Sequence, residues 1–539
     1  MRPNPSFKPI LAWFSCLGLI LFWGCSGEKA PETPDKPTVP KVTIEVAVAN
    51  VHGDFNPHLY DADGFVQVFL YDSLVGQQNG QSVPALAESS EISKDGLEIV
   101  FRLRPGVKFS DGSPFDAHNV KKNFDAIMSH PEDYDWMGVV TSMEGYEVVN
   151  DLTFKVTFKV PYYAALQEFS SARPFRMLGE AAFMEDGSTV SGIKAPIGTG
   201  PWKLDQYESG QYAVFSKNPH YWGQSPKLDG FTLRIIPQGE TAVSSLKAGE
   251  IDLIYDFFES ELMNISSFEA FQKDENFKTF VSGPMFTRVM TINTTRPPLN
   301  NLIVRKAIAL ALDRENMVKN VFHETETVAS SYFFSKIPYC DLGLKSYPYE
   351  PRMARALLDA AGWILPEGQS VRSKDGTPFE IGLYYDSTNV VHRAFAQIIQ
   401  AQLGEVGIKV NLTGEESAAY LSRGKAGDFD LNFSVSWGEP YDPHSTLNGL
   451  ATKSESLDYL GVAGLPNYDE LAQKITDVLH ETSEDLRQET YREILTAIHE
   501  GYGIVPLSYK TNRAAAQKNL EGVEFHFSYD LPLSNTVKR

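Results

Sequence analysis

The sequence predicts an α/β protein of two or three domains, and three observations carry that expectation. At 539 residues the chain is longer than one hydrophobic core can serve. Its composition, 42% hydrophobic, 12% aromatic and 22% charged, is that of an ordinary globular protein. Residues 381–385 alternate as a strand, 391–406 carry a helical pattern closed by Gly407, and 408–412 alternate again. Strand, helix and strand at this spacing make a βαβ unit, which requires parallel strands and a right-handed crossover.

Residues 1–25 read as a targeting segment. Arg2 and Lys8 give a basic start, and residues 10–24 form a mostly apolar run of about 15, short of the ~20 that a membrane-spanning helix needs. Gly24 directly before Cys25 resembles a bacterial lipoprotein cleavage site, which would make Cys25 the lipidated first residue; a plain secretory signal or an uncleaved anchor is the alternative. Residues 26–41 place Pro31, Pro34, Pro37 and Pro40 among charges, the composition of an extended tether. Residues 43–49 alternate as a strand, a polar loop runs through Asn56-Pro-His-Leu-Tyr60, and 65–75 read as a helix. Residues 98–103 form a strand entering the turn Arg104-Pro-Gly106. A helix starts at Asp116 with Val120, Phe124 and Ile127 on one face, and 152–160 alternate again. Residues 193–202 are a glycine and proline loop ahead of a strand; Gly198-Thr-Gly200 lacks the Gly-Lys-Ser/Thr ending of a phosphate loop and is read as structural. Helices follow at 305–312, 351–362 and 484–499, with a strand at 504–509.

The formal net charge of −21 argues against nucleic acid and against electrostatic binding to an anionic membrane face. Of three cysteines, Cys16 and Cys25 lie in the leader and Cys340 stands alone, which excludes a disulfide framework and a cysteine-rich zinc site. No Gly-x-Ser-x-Gly elbow is present, and Asp252 and Asp256 sit in ordinary strand-to-loop contexts, so the chain is not expected to be an enzyme. None of the eleven histidines forms a His-x₃-His or His-Glu-x-x-His pair that would aim two imidazoles at one ion.

The segment Trp437-Gly-Glu-Pro-Tyr-Asp-Pro-His444 is the most informative stretch. Pro440 and Pro443 fix φ and remove donors, giving a stiff, turn-like loop that presents Trp437 and Tyr441. Such a loop either walls a small ligand site or caps a core with both rings. His444 is either a metal ligand or a hydrogen-bonded turn histidine.

Leu103-Arg-Pro-Gly-Val-Lys-Phe-Ser-Asp-Gly112, Asn218-Pro-His-Tyr-Trp-Gly223 and Gly249-Glu-Ile-Asp252 resemble the markers of the extracytoplasmic solute-binding proteins of peptide and nickel ABC transporters. The resemblance runs from about residue 42 to the end. At Asn56 to Tyr60, Arg173-Pro-Phe-Arg176, residues 193–202 and the Trp437 loop it is nearest the nickel-binding branch. It implies two lobes closing about a hinge over one ligand, with lobe I at residues 42–285 plus 510–539 and lobe II at 286–509. It also implies an exported, periplasmic or cell-surface monomer, lipid-anchored through Cys25, that delivers its ligand to an ABC permease and its ATPase. The ligand implied is nickel or another divalent transition metal in a small organic carboxylate chelate, with no permanently bound cofactor. By the same resemblance Arg173 binds carboxylate, and Tyr60, Phe65, Trp136, Trp437, Tyr441 and Tyr529 line the site, with Asp530 within reach of it. The sequence departs from the branch where Phe65 replaces a methionine and Asp133 an arginine. Glu455 stands near a histidine that ligates metal in some relatives, so Glu455 and His444 are the candidate protein ligands, and the metal is otherwise held by its chelator alone. The alternative ligand is a di- or oligopeptide, with Asp133 meeting its ammonium group.

Overall fold

The α/β expectation holds in one large mixed sheet with helices packed against it. The computed structural model describes residues 41–51, 55–59, 64–78, 80–256, 262–452, 457–525 and 533–539; the leader with Cys25, and the tether up to Pro40, lie outside them. Among the described residues an eleven-stranded sheet has the order Lys409–Glu415, Glu380–Asp386, Leu431–Val435, Phe277–Ile292, Ile504–Gln517, Leu253–Asp256, Thr43–Val48, Gly230–Ile235, Tyr212–Lys217 and Trp202–Glu208, with Thr327–Val328 pairing onto 504–517 from the side. A separate four-stranded antiparallel sheet has the order Ala87–Ile92, Glu98–Leu103, Thr153–Phe158 and Met143–Asn150.

The predicted βαβ unit is present. Glu380–Asp386 and Lys409–Glu415 pair in parallel with Leu383 opposite Leu412, and the helix Val390–Glu405 connects them. Asn389 starts that helix by accepting from the Val391 and His392 amides at 3.0 and 3.1 Å. Gly407, at φ +89°, turns the chain out of it. The helix Ala117–Met128 is likewise set by local chemistry: Asp116 accepts from the His118 and Asn119 amides, and Asn119 returns a bond to the Asp116 amide, closing a capping box. Its Val120, Phe124 and Ile127 are buried, as the 3.6-residue period requires.

The helix expected over 65–75 is shorter, Gly64–Leu70, and Val75 already begins the strand Val75–Gln78. The reason lies in the glycine loop. Gly200 donates its N–H to the Leu70 carbonyl at 2.9 Å, and a Cβ on Gly198 would stand 2.1 Å from that same oxygen. The loop therefore seats against the helix end and occupies a carbonyl that further turns would have used. This is the structural role expected of Gly198-Thr-Gly200. The strand expected at 504–509 runs on to Gln517, and the 16-residue strand Phe277–Ile292 pairs with it, with register shifts at Val281/Pro284, Pro284/Phe286 and Arg288/Val289.

Three apolar interiors matter for the site. Val46, Phe69, Trp202, Phe215 and Phe231 fill one beside the 43–48 and 230–235 strands. Ile308, Leu358, Leu383, Phe395 and Phe433 fill another around the βαβ unit. The third joins Phe101, Phe124 and Phe154 of the four-stranded sheet to Tyr441, Leu447, Tyr491 and Ile494 from the second half of the chain. A Gly198→Ala substitution should lower stability by about 1–3 kcal/mol, the scale of overpacking against an immobile neighbour, and thermal unfolding measures this directly.

Candidate functional site

Trp136, Trp437 and Tyr441 meet in space although 300 residues separate the first from the others. The ring centroids of Trp136 lie 5.5 Å from Trp437 and 5.5 Å from Tyr441, and those of Trp437 and Tyr441 are 6.5 Å apart. Trp136 follows the turn Pro131–Tyr134 and precedes the short helix Gly138–Ser142. Trp437 and Tyr441 come from the proline loop, which is a turn as expected: Gly438, at φ +74°, accepts from the Tyr441 and Asp442 amides at 2.8 and 2.9 Å. A buried carboxylate clips the loop's ends together. Asp442 accepts from Ser436 Oγ at 2.7 Å and from Thr446 Oγ1, and Thr446 Oγ1 accepts from the Trp437 amide at 3.2 Å. Burial pushes the Asp442 carboxyl up to about 6, and the Thr446 and Ser436 hydroxyls pull the other way.

Arg173 is half-buried and stands beside Tyr441. Burial raises the Tyr441 phenol, and the Arg173 charge opposes that rise. Its neighbour Arg176 has a different task, donating to the backbone carbonyls of Ser171 and Tyr71 at 2.9 Å each. Asn56 and His58 brace the same segment: Asn56 donates to the Thr189 carbonyl at 2.6 Å, and His58 Nε2 donates to the Arg176 carbonyl at 3.1 Å. Burial lowers His58 to about 4, so its ring is neutral.

The remaining candidates are distributed as follows. Phe65 is 1% exposed and packs on Phe69 at 5.2 Å and Tyr255 at 6.0 Å, within the interior beside the 43–48 strand. Tyr60, Tyr529, Asp530 and Glu455 lie outside the described residues. Asp133 is exposed on its turn. His444 begins the helix His444–Thr452 and is 2% exposed, with Nε2 3.6 Å from the Glu168 carboxylate. Burial lowers it to about 3, so it is a neutral imidazole. Among the described residues no group of three or more His, Cys, Asp or Glu is placed to hold a metal ion.

Sequence reasoning missed Glu168. It is fully buried, and accepts from the Val139 amide at 2.7 Å, the Tyr162 hydroxyl at 2.7 Å and the Ser445 hydroxyl at 2.9 Å. Burial raises its pKa against those three donors. Its short helix, Ala165–Phe169, carries no pattern that marks it out, and its partner Ser445 lies 277 residues away.

The sequence model of the middle region of the bacterial extracellular solute-binding proteins, family 5, matches residues 81–458. The nickel-binding periplasmic protein of Escherichia coli is 35% identical over 475 residues, 88% of this chain and 90% of that one. Brucella suis NikA, whose crystal structure holds Fe(III)-EDTA, superposes with a TM-score of 0.89 at 38% identity over 92% of this chain and 100% of that one. Campylobacter jejuni NikZ with Ni(L-His) gives 0.77 at 24% identity over 93% of this chain and 100% of that one, a likeness of fold. The fold is accordingly the two-lobed one of these periplasmic binding proteins.

The depressed His444 has a pH consequence. An unfolded chain protonates this imidazole near 6.5 and the folded one only near 3. The neutral ring's contribution is therefore complete above about pH 6.5 and is lost as pH falls toward 3, by up to about 2 kcal/mol at pH 5. His444→Gln removes that term. The melting temperature of the variant, measured against the parent from pH 7.5 to 5, should shift in the variant's favour as pH falls, and a constant difference would refute the assignment.

Proposed function

The chain belongs to the bacterial extracellular solute-binding proteins, family 5, and on that premise we propose that it captures nickel, or another divalent transition metal, as a small organic carboxylate chelate for an ABC importer. The observation that carries this reading is the placement of Arg173 beside a box of Trp136, Trp437 and Tyr441. A guanidinium fork matches a carboxylate in two parallel charge-assisted bonds, and aromatic walls keep water from competing for it. In this reading the metal is cargo. The chelator supplies its ligands, which agrees with the enclosure of His444 and with the lack of a three-ligand cluster among the described residues. The relatives of known cargo, with nickel, Fe(III)-EDTA and Ni(L-His) in their names, support the class of ligand.

Lobe I is proposed as residues 42–285 plus 510–539 and lobe II as 286–509. The register of the two long strands supports those crossings, because it breaks between Val281 and Phe286, opposite residues 510–513. Trp136 and Arg173 then belong to one lobe and Trp437 and Tyr441 to the other, so a ligand touching both sets stabilises the closed arrangement. Export by the leader, lipid attachment at Cys25, delivery to a permease with its ATPase, action as a monomer and the absence of catalysis complete the proposal. The peptide alternative drew on Asp133, whose exposure leaves it in competition with water for an ammonium group.

Native mass spectrometry of the protein purified without tags or chelators, with metal analysis alongside, tests the cargo. A co-purified transition metal with a small carboxylate mass is the expected result, and a peptide mass without metal would overturn it. Arg173→Ala should weaken Fe(III)-EDTA binding by about 2–5 kcal/mol, the scale of unpairing one side of a buried charge pair. Titration calorimetry showing an unchanged Kd would remove Arg173 from the site.

A further inference from the structure

Glu168 holds both walls of the aromatic box with one carboxylate. Its Oε2 accepts from the Val139 amide, three residues after Trp136. Its Oε1 accepts from Ser445 Oγ, and the Ser445 amide in turn donates to the Tyr441 carbonyl at 2.9 Å, one turn beyond that ring. The Tyr162 hydroxyl donates to the same Oε1 at 2.7 Å. Gly138 makes room for this, since a Cβ there would stand 2.2 Å from the Tyr162 ring. Neighbouring contacts follow the same seam: Tyr163 and Tyr491 hydroxyls meet at 2.6 Å, the Tyr163 amide donates to the Leu479 carbonyl at 3.2 Å, and His480 Nδ1 donates to the Pro161 carbonyl at 2.8 Å.

We propose that Glu168 and Ser445 form an interlobe latch, which closes the aromatic box and sets how long a captured ligand is retained. The inference rests on the two-lobed closure described above. Two of the three donors to Glu168, Val139 and Tyr162, lie in its own lobe, so the carboxylate stays oriented when the lobes part. Ser445 alone crosses. Opening breaks that bond together with the seam contacts of Tyr163 and His480, and lets water reach the carboxylate, whose hydration offsets much of the loss. A latch of this kind biases closure without locking it, which suits a protein that must release its cargo. Glu168 is thus a positioning residue, acting on the ligand through Trp136 and Tyr441.

Hydrogen–deuterium exchange of the ligand-free protein, together with Fe(III)-EDTA binding kinetics, tests this. Ser445→Ala should speed exchange along the seam, at residues 138–142, 161–168, 444–447 and 479–491, while leaving the interior around the βαβ unit unchanged. It should raise the Kd about fivefold to tenfold through faster release, the scale of one ordinary hydrogen bond net of hydration. Glu168→Gln should act in the same direction, whereas Arg173→Ala should weaken binding with the ligand-free seam unaltered. If Ser445→Ala and Glu168→Gln both exchange along the seam as the parent does, there is no latch, even where global stability falls. If the parent binds no Fe(III)-EDTA and the seam still loosens in both variants, the latch stands and the chelate reading fails.

Discussion

The pairing of two long antiparallel strands, 277–292 and 504–517, is the constraint on which the molecule depends. One end of the pair continues into the 253–256, 43–48 and 230–235 strands, and the other into the 431–435 and 380–386 strands. A continuous ladder this long would be stiff, yet it is interrupted at Pro284, which has no N–H to offer, and there Ser282 Oγ takes the Asn512 amide instead at 2.8 Å. Buried ion pairs fix the chain on either side of the interruption. Arg513 meets Asp256 at 2.9 Å on one side; Arg288 meets Glu326 at 3.2 Å on the other, with Ser508 also donating to Glu326 at 2.6 Å. Breaking such a pair strands a buried charge, so each half keeps its own geometry while the backbone between them has fewer ladder bonds to lose.

The aromatic box depends on polar groups behind it. Trp437 and Tyr441 are held by the bonds Asp442 makes to Ser436 and Thr446, and Trp136 is tied through Val139 to Glu168. Both carboxylates are buried with every donor coming from neutral hydroxyls and backbone amides, and the positive charges that bear on the box are those of Arg173 and Arg176.

What was legible in the sequence follows from periodicity. The 390–405 helix with its flanking strands, and the 117–128 helix with Asp116 at its start, announce themselves because one face is buried and the other is not. The 277–292 strand gives no such signal: its last eight residues are all buried, so alternation vanishes, and Gly283 and Pro284 read as a break. Of the site, the stiffness of the Trp437 loop was readable from Pro440 and Pro443. The meeting of that loop with Trp136 and Arg173 was available only through family resemblance, since no local pattern encodes a contact across 300 residues. Asp442 carries no signal of its own in the sequence, because its partners Ser436 and Thr446 are brought to it only by the folded turn.

The angles within the box carry a consequence for how its rings can move. The planes of Trp136 and Trp437 cross at 84°, those of Trp437 and Tyr441 at 78°, and those of Trp136 and Tyr441 at 62°. At centroid separations of 5.5 to 6.5 Å such rings pack edge against face, so each covers part of its neighbours. Turning one ring aside would therefore uncover the faces of the other two, and the three are bound to shift as a set.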